Sequence, residues 1–252
     1  MTRWVDAHCH LHLSDDDPAA LVSRAVAAGV GWMVNPGTDA ASSEESFRLA
    51  GRFPGVVLPT AGLHPHEASR WPAEADRIAA LAADAAAVGE CGLDFYRNLS
   101  SPEDQMIAFR DQILLAERLG KPVIVHCRDA FAEVHDLLEE TGCGPRAVLH
   151  CWTGGPRWTK RFAALGVTFS FAGPVVFETG DTVRRGAAEA PPDRTMVETD
   201  TPYLTPPPNR SAANEPANVV RVGEALAAVW GMAVDVVAAL TTATATRVFR
   251  SD

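Results

Sequence analysis

Residues 116–126 read AERLGKPVIVH. A run of helix formers ends at Gly120, the residue type that most often closes a helix in the left-handed conformation. Pro122 then opens three consecutive β-branched residues, Val123, Ile124 and Val125, which close on His126. The stretch reads as helix, stop, buried strand and polar tip. Near-continuous apolar runs of this kind are expected of parallel strands covered on both faces.

Seven further runs share the pattern: RWVDAH (3–8), GWMVNPG (31–37), GVVLPTAGLHP (55–65), AAVGECGLD (86–94), RAVLHCW (146–152), VTFSFAG (167–173) and RTMVETD (194–200). Helical candidates lie between them, among them Pro18 to Ala28, Pro102 to Leu119 and Asp129 to Thr141. A closing helical region covers Pro216 to Trp230 and Val234 to Phe249, after a proline-dense loop, TPYLTPPPNRSAANEP (201–216). Eight units in 252 residues average about 31 residues, the size of a βαβ step. The expected fold is α/β, a (β/α)8 TIM barrel forming a single domain over residues 1–252. An open doubly wound sheet is the alternative. It usually carries a glycine-rich phosphate turn after its first strand, where this chain has HCHLHLSDDD (8–17).

A formal net charge of −10 argues against a broad basic surface that grips nucleic acid through its phosphates. It leaves room for short-range contact at a metal site, where bound cations dominate the local field. Five cysteines without a Cys-x-x-Cys pair point to neither a disulfide framework nor a thiolate zinc site. With no apolar run of membrane-spanning length and no signal-like start, the expected setting is cytoplasmic, away from membranes and without an obligate protein partner.

Reactive groups of such a barrel lie at the C-terminal ends of strands. Reading the run ends gives Asp6, His8 and His10; His64; Glu90; His126; His150; and Glu198 with Asp200. Alternation along a strand lets His8 and His10 share a face, with Asp6 one step deeper as a supporting group and Cys9 turned away. Cys91, Cys127 and Cys151 follow candidate ligands in the same way and read as small buried hydrophobes. Leaving aside His64, Asp6 and Glu198, the four imidazoles of His8, His10, His126 and His150 and the two carboxylates of Glu90 and Asp200 are too many for one catalytic zinc. They suit two divalent ions, Mg, Mn or Zn, of the kind that clamp both oxygens of a phosphoryl displacement. Some barrel hydrolases bridge their metals with a carbamylated lysine. Here Lys121 precedes its strand and Lys160 falls in a predicted helix, which leaves Glu90 as the bridging candidate.

In order along the chain, VDAHCHL, GLHPH, VGECGLDFYR, PVIVHCRDA, HCWTGG, ETDTPYL and NEPANV resemble the TatD family of metal-dependent deoxyribonucleases, within the amidohydrolase-like barrels. The resemblance covers nearly the whole length. It implies hydrolysis of phosphodiesters, a 3′–5′ exodeoxyribonuclease acting on single-stranded or frayed DNA ends, with RNA a further candidate. It implies that His8, His10, Glu90 and Asp200 hold one metal, and that Glu90 bridges to a second held by His126 and His150. Asp200 would also take the proton of the attacking water, and His64 would sit beside the substrate phosphate. Family members often carry Arg at the position of Arg128, a candidate for substrate contact or for a salt bridge near Asp129. His12, where the family usually has Asp or Asn, and HCWTGG, where an aromatic-Ser-Gly is commoner, depart from the pattern without touching a ligand.

The remaining polar residues have plainer readings. His12 is expected to be structural, His66 to stay near the site without a fixed role, and His135 to lie on a helix surface. Arg97 is a weaker phosphate candidate than Arg128, and Glu198 is a supporting group. The TGGP turn (153–156) either presents N–H groups to an anion or is a simple connection, and Arg157, Lys160 and Arg161 form a solvated helix face. Two other functions remain open at this point: a hydrolase of small amides, lactones or phosphotriesters on the same scaffold, and a non-catalytic binding protein with a vestigial metal site.

Overall fold

The computed structural model describes residues 4–250; Arg3, at the head of the first apolar run, lies outside the described residues. The strands are β1 (Trp4–Asp6), β2 (Val30–Asn35), β3 (Val57–Pro59), β4 (Val88–Asp94), β5 (Val123–Arg128), β6 (Ala147–Leu149), β7 (Thr168–Phe171) and β8 (Thr195–Val197). The helices are α1 (Pro18–Ala27), α2 (Ala40–Arg52), α3 (Trp71–Asp84), α4 (Pro102–Leu119), α5 (Phe131–Thr141), α6 (Pro156–Ala164), α7 (Asp181–Ala187), α8 (Val219–Trp230) and α9 (Val234–Phe249). Strand and helix alternate along the chain, as the eight apolar runs predict.

The described chain forms two compact units. Unit 1 comprises residues up to Val34, Cys151–Ala163 and Thr168 onward; unit 2 comprises Asn35–His150 and Ala164–Val167. In unit 1, β1 pairs in parallel with β2 and β7 with β8, and the Ala7 N–H donates to the Val197 carbonyl at 3.0 Å. Trp4 is buried under α8, where a Cβ on Gly223 would fall 2.1 Å from its ring. Trp152, Phe162 and Phe169 pack edge to face and tilted at 5.1 and 5.5 Å between ring centres.

In unit 2, β4 pairs in parallel with β5, β5 with β6, and Ala61 bridges to Val88. Two glycines let these strands close up. A Cβ on Gly62 would lie 2.5 Å from the Gly89 backbone, and one on Gly92 (φ +131°) would lie 2.1 Å from the His126 carbonyl oxygen. Helix α4 starts on a Ser101 cap, with Ser101 Oγ accepting from the Asp104 N–H at 3.1 Å, and stops at left-handed Gly120. Those are the boundaries its sequence signals. Its inner face carries two fully buried glutamines two turns apart, Gln105 and Gln112.

Strand lengths differ from expectation. β1 ends at Asp6, so His8 and His10 stand beyond it, whereas β4 continues past Glu90 to Asp94. His135 is a correction: it is 5 % exposed, beside buried Val134, Leu137 and Leu138. It lies three residues from Leu138 and four from Phe131, on the apolar side of α5. Among the described residues no single helix is long and apolar enough to cross a membrane.

Candidate metal centre

In unit 1 the segment after β1 and the turn after β8 are stitched together. The Asp200 N–H donates to the His8 carbonyl at 2.9 Å and the His10 N–H to the Thr201 carbonyl at 2.8 Å. Beneath them Asp6, fully buried, accepts from the Thr199 hydroxyl at 2.6 Å and from the Thr199 N–H at 2.9 Å. Burial pushes the Asp6 carboxyl well above the ordinary range, against the pull of the Thr199 hydrogen bonds. Asn214, from the NEPANV stretch, donates to the Thr199 and Tyr203 carbonyls at 2.9 and 2.7 Å and so braces the turn. Asp200 adopts a left-handed backbone (φ +58°), a conformation Asp tolerates better than most residues.

The result is a triad. His8 Nε2, His10 Nε2 and Asp200 Oδ1 are separated by 3.1, 3.8 and 3.7 Å. A four-coordinate ion with bonds of about 2.0–2.2 Å spaces its ligands by about 3.3–3.6 Å. The two nitrogens and the oxygen therefore fit a divalent cation in both spacing and donor type. Glu198, also buried, accepts the Cys151 N–H at 2.7 Å and serves the turn as a supporting group. His12 sits in the short helical turn Leu11–Leu13, its ring 5.7 Å from that of His10.

In unit 2 the centre is a single oxygen. Glu90 Oε1 lies 2.9 Å from His150 Nε2, 3.1 Å from His126 Nδ1 and 3.4 Å from His64 Nε2. His126 Nδ1 and His150 Nε2 are themselves 3.3 Å apart. These spacings again match neighbouring ligands of one ion. Glu90 is buried within β4, and burying a carboxylate is costly unless it is paired or bound to a cation.

Asp94, at the end of β4, fixes the imidazoles from behind. Its Oδ2 lies 3.2 Å from His126 Nε2 and 2.8 Å from His66 Nε2. Burial alone would raise the Asp94 carboxyl, but the bonds from His126, the Arg97 N–H and His66 hold it well below the usual range. A carboxylate on Nε2 keeps the proton there and leaves Nδ1 free to face Glu90, the arrangement that orients metal-binding imidazoles. Burial opposes charge on His126, but Asp94 and Glu90 outweigh it and raise its pKa.

His64 has the opposite tautomer signal. Its Nδ1 accepts the His66 N–H at 3.2 Å, which places the proton on Nε2. Burial lowers its pKa to about 4 against the pull of Glu90, so at neutral pH it is an uncharged donor. Both segments are clamped by α4. The Gln112 amide exchanges hydrogen bonds with the Leu63 N–H and carbonyl at 2.8 and 3.1 Å, next to His64. Gln105 accepts the Asp94 N–H at 2.8 Å.

Sequence reading passed over Asp94, the role of His66, both glutamines and Asn214. Asp94 had a signal, lying four residues after Glu90 on the same face of a strand. Neither lysine joins a cluster. Lys121 donates to the carbonyls of Ala83 and Ala85, and Lys160 pairs with Glu189 at 3.2 Å. Arg128 lays its guanidinium 4.0 Å over the Tyr96 ring.

Imidazole–carboxylate sets at the C-terminal ends of parallel strands define the class of metal-dependent α/β barrel hydrolases. The chain matches the TatD related DNase family over residues 5–250, and it belongs to that family. A Pectobacterium parmentieri protein named 3′-5′ ssDNA/RNA exonuclease TatD is 39 % identical over 245 residues, 94 % of each chain. A Cronobacter sakazakii protein of the same name is 43 % identical over 211 residues, 80 % of each chain. The crystal structure of YjjV, a TatD homologue from Escherichia coli, superposes with a TM-score of 0.93 at 25 % identity, covering 100 % of this chain and 99 % of that one. The fold is therefore α/β of the TIM-barrel type, as the eight-run reading expects.

Proposed function

We propose that the protein is a metal-dependent 3′–5′ exonuclease that removes nucleotides from single-stranded ends of DNA, and of RNA where it is presented. The substrate class is supported by the relatives named as ssDNA/RNA exonucleases over nearly the full chain. What carries the chemistry is the donor set: His8, His10 and Asp200 in one cluster and Glu90 with His64, His126 and His150 in the other, with nitrogen and carboxylate atoms at metal-ligand spacing. Two divalent ions, Mg, Mn or Zn, are the proposed cofactors; His8, His10 and Asp200 would hold one, and Glu90, His126 and His150 would hold the other. Such ions supply Lewis acidity toward a phosphoryl oxygen and make water a competent nucleophile near neutral pH.

The protein's own groups do the rest. Asp200, whose side chain keeps 14 % of its surface open, accepts the proton of the attacking water as general base. His64 offers its Nε2–H to a phosphate oxygen without adding a charge. Asp94 holds the Nε2 proton of His126, so the ring cannot turn its basic nitrogen away.

A 5′-labelled single-stranded oligonucleotide should be shortened stepwise from its 3′ end in the presence of Mn or Mg and left intact with chelator. Asp200→Asn should slow the parent rate by about 10²–10⁴-fold, the usual worth of a general base, with the folded circular dichroism spectrum retained. Equal turnover by variant and parent, or shortening that persists in chelator, removes the mechanism.

A further inference from the structure

The loop after β4 presents a large aromatic to solvent beside the Glu90 cluster. Tyr96 is 62 % exposed, two residues past Asp94, which holds His126 and His66. An exposed aromatic is unremarkable on a mobile loop, but this loop is built. The buried Gln105 amide accepts the Asp94 N–H at 2.8 Å and donates to the Ser100 carbonyl at 2.9 Å and the Asp94 carbonyl at 3.3 Å. It also reaches Asn98 Oδ1 at 3.4 Å. The Arg97 N–H closes on Asp94 Oδ1 at 2.8 Å. A buried side chain therefore fixes the backbone on either side of this exposed ring.

The neighbouring strand supplies its companion. β4 and β5 are in register at Asp94 and Arg128, and the Phe95 N–H donates to the Arg128 carbonyl at 3.0 Å. Arg128 stands two residues past His126, on the same face of β5, and its guanidinium lies over the Tyr96 ring at 4.0 Å. The guanidinium and the ring stack on one another as an exposed cationic pair, carried on the strands that hold Glu90, Asp94 and His126.

We propose that Tyr96 and Arg128 form a stacking platform for an unpaired nucleobase at the 3′ end of the substrate, an inference that rests on the exonuclease reading above. Base–aromatic stacking is the usual means of gripping single strands irrespective of sequence, because every base has a π face. It needs no broad positive surface, in keeping with the net charge of −10. A base at a duplex end is held by its pairing partner and must be unpaired, at a cost, before it can follow its strand onto the platform, so single-stranded or frayed ends are favoured. Deoxyribose and ribose strands carry the base alike, so the platform serves DNA and RNA.

The test uses the full chain with Mn and 5′-labelled single-stranded oligonucleotides, in DNA and RNA arms. Tyr96→Ala should raise KM by roughly tenfold, within the range of base–aromatic stacking, while kcat changes by less than about twofold. Tyr96→Phe should restore the parent KM, and Arg128→Ala should raise it by about 2–5-fold, the worth of an exposed cation–π pair. On DNA whose 3′-terminal nucleotides are abasic, the Tyr96→Ala penalty should shrink to less than about twofold. An equal penalty on abasic and ordinary ends overturns the platform, as does a Phe variant no better than Ala or an unchanged KM in Tyr96→Ala. If the parent shortens no oligonucleotide with any of Mn, Mg or Zn, the exonuclease reading falls and the platform with it; if the parent is active, only the platform is at stake.

Discussion

The two clusters are assembled by opposite means. In unit 1 the donor atoms stand beyond the ends of β1 and β8, and hydrogen bonds hold them: Asp6 to Thr199, Asn214 to two carbonyls, Asp200 to His8. In unit 2 Glu90 and His126 belong to the strands themselves, and close backbone packing at Gly62, Gly89 and Gly92 sets their positions. A site on loops tolerates sequence drift in its strands but depends on every polar contact beneath it. A site within strands also leans on Asp94 and the α4 glutamines, but its backbones lie so close that it cannot accept an added methyl group. The same donor chemistry is therefore fragile in different ways in the two units.

Gly92→Ala is the severest test of that contrast. A Cβ there would collide with the His126 carbonyl, on a backbone at φ +131°. The expected cost is about 3 kcal/mol or more, at the upper end for one substitution, read from the denaturant midpoint. A loss under about 1 kcal/mol would show that the strands are not so tightly set.

Asp94→Asn should be milder and should act on metal binding. Removing a carboxylate behind a ligating imidazole typically weakens metal affinity or activity by about 10–100-fold. Mn titration should show the drop with the thermal midpoint little changed, which separates a positioning role from a merely structural one. Thr199→Val, nearly the same shape, should cost about 1–2 kcal/mol by leaving a buried carboxylate oxygen short of a donor. Should it cost more than Gly92→Ala, the contrast between the two constructions is lost.

Much of this was legible in the sequence. The Pro102 start and Gly120 stop delimit α4 from local chemistry alone, and six candidate ligands fall into the two clusters. Alternation paired His8 with His10 correctly although β1 stops at Asp6: the Nε2 atoms meet through the following turn, not through strand pleating. Glutamines 105 and 112 were opaque because nothing in a helix's own sequence tells which backbone its amides will meet. Asp94 was visible only as part of a motif. A place in mid-helix alone suggests a solvated His135, until the apolar face it shares with Phe131 and Leu138 is traced.

The Gln105 clamp has a consequence for how such enzymes diversify. A rim segment pinned at both ends and in the middle by one amide has no slack, so inserting or deleting a residue between Asp94 and Ser100 would unseat every anchor at once. On the proposed platform, a change in preference for nucleic-acid ends would come from exchanging the outward side chains at positions 96, 97 and 99, with the length of the segment constant.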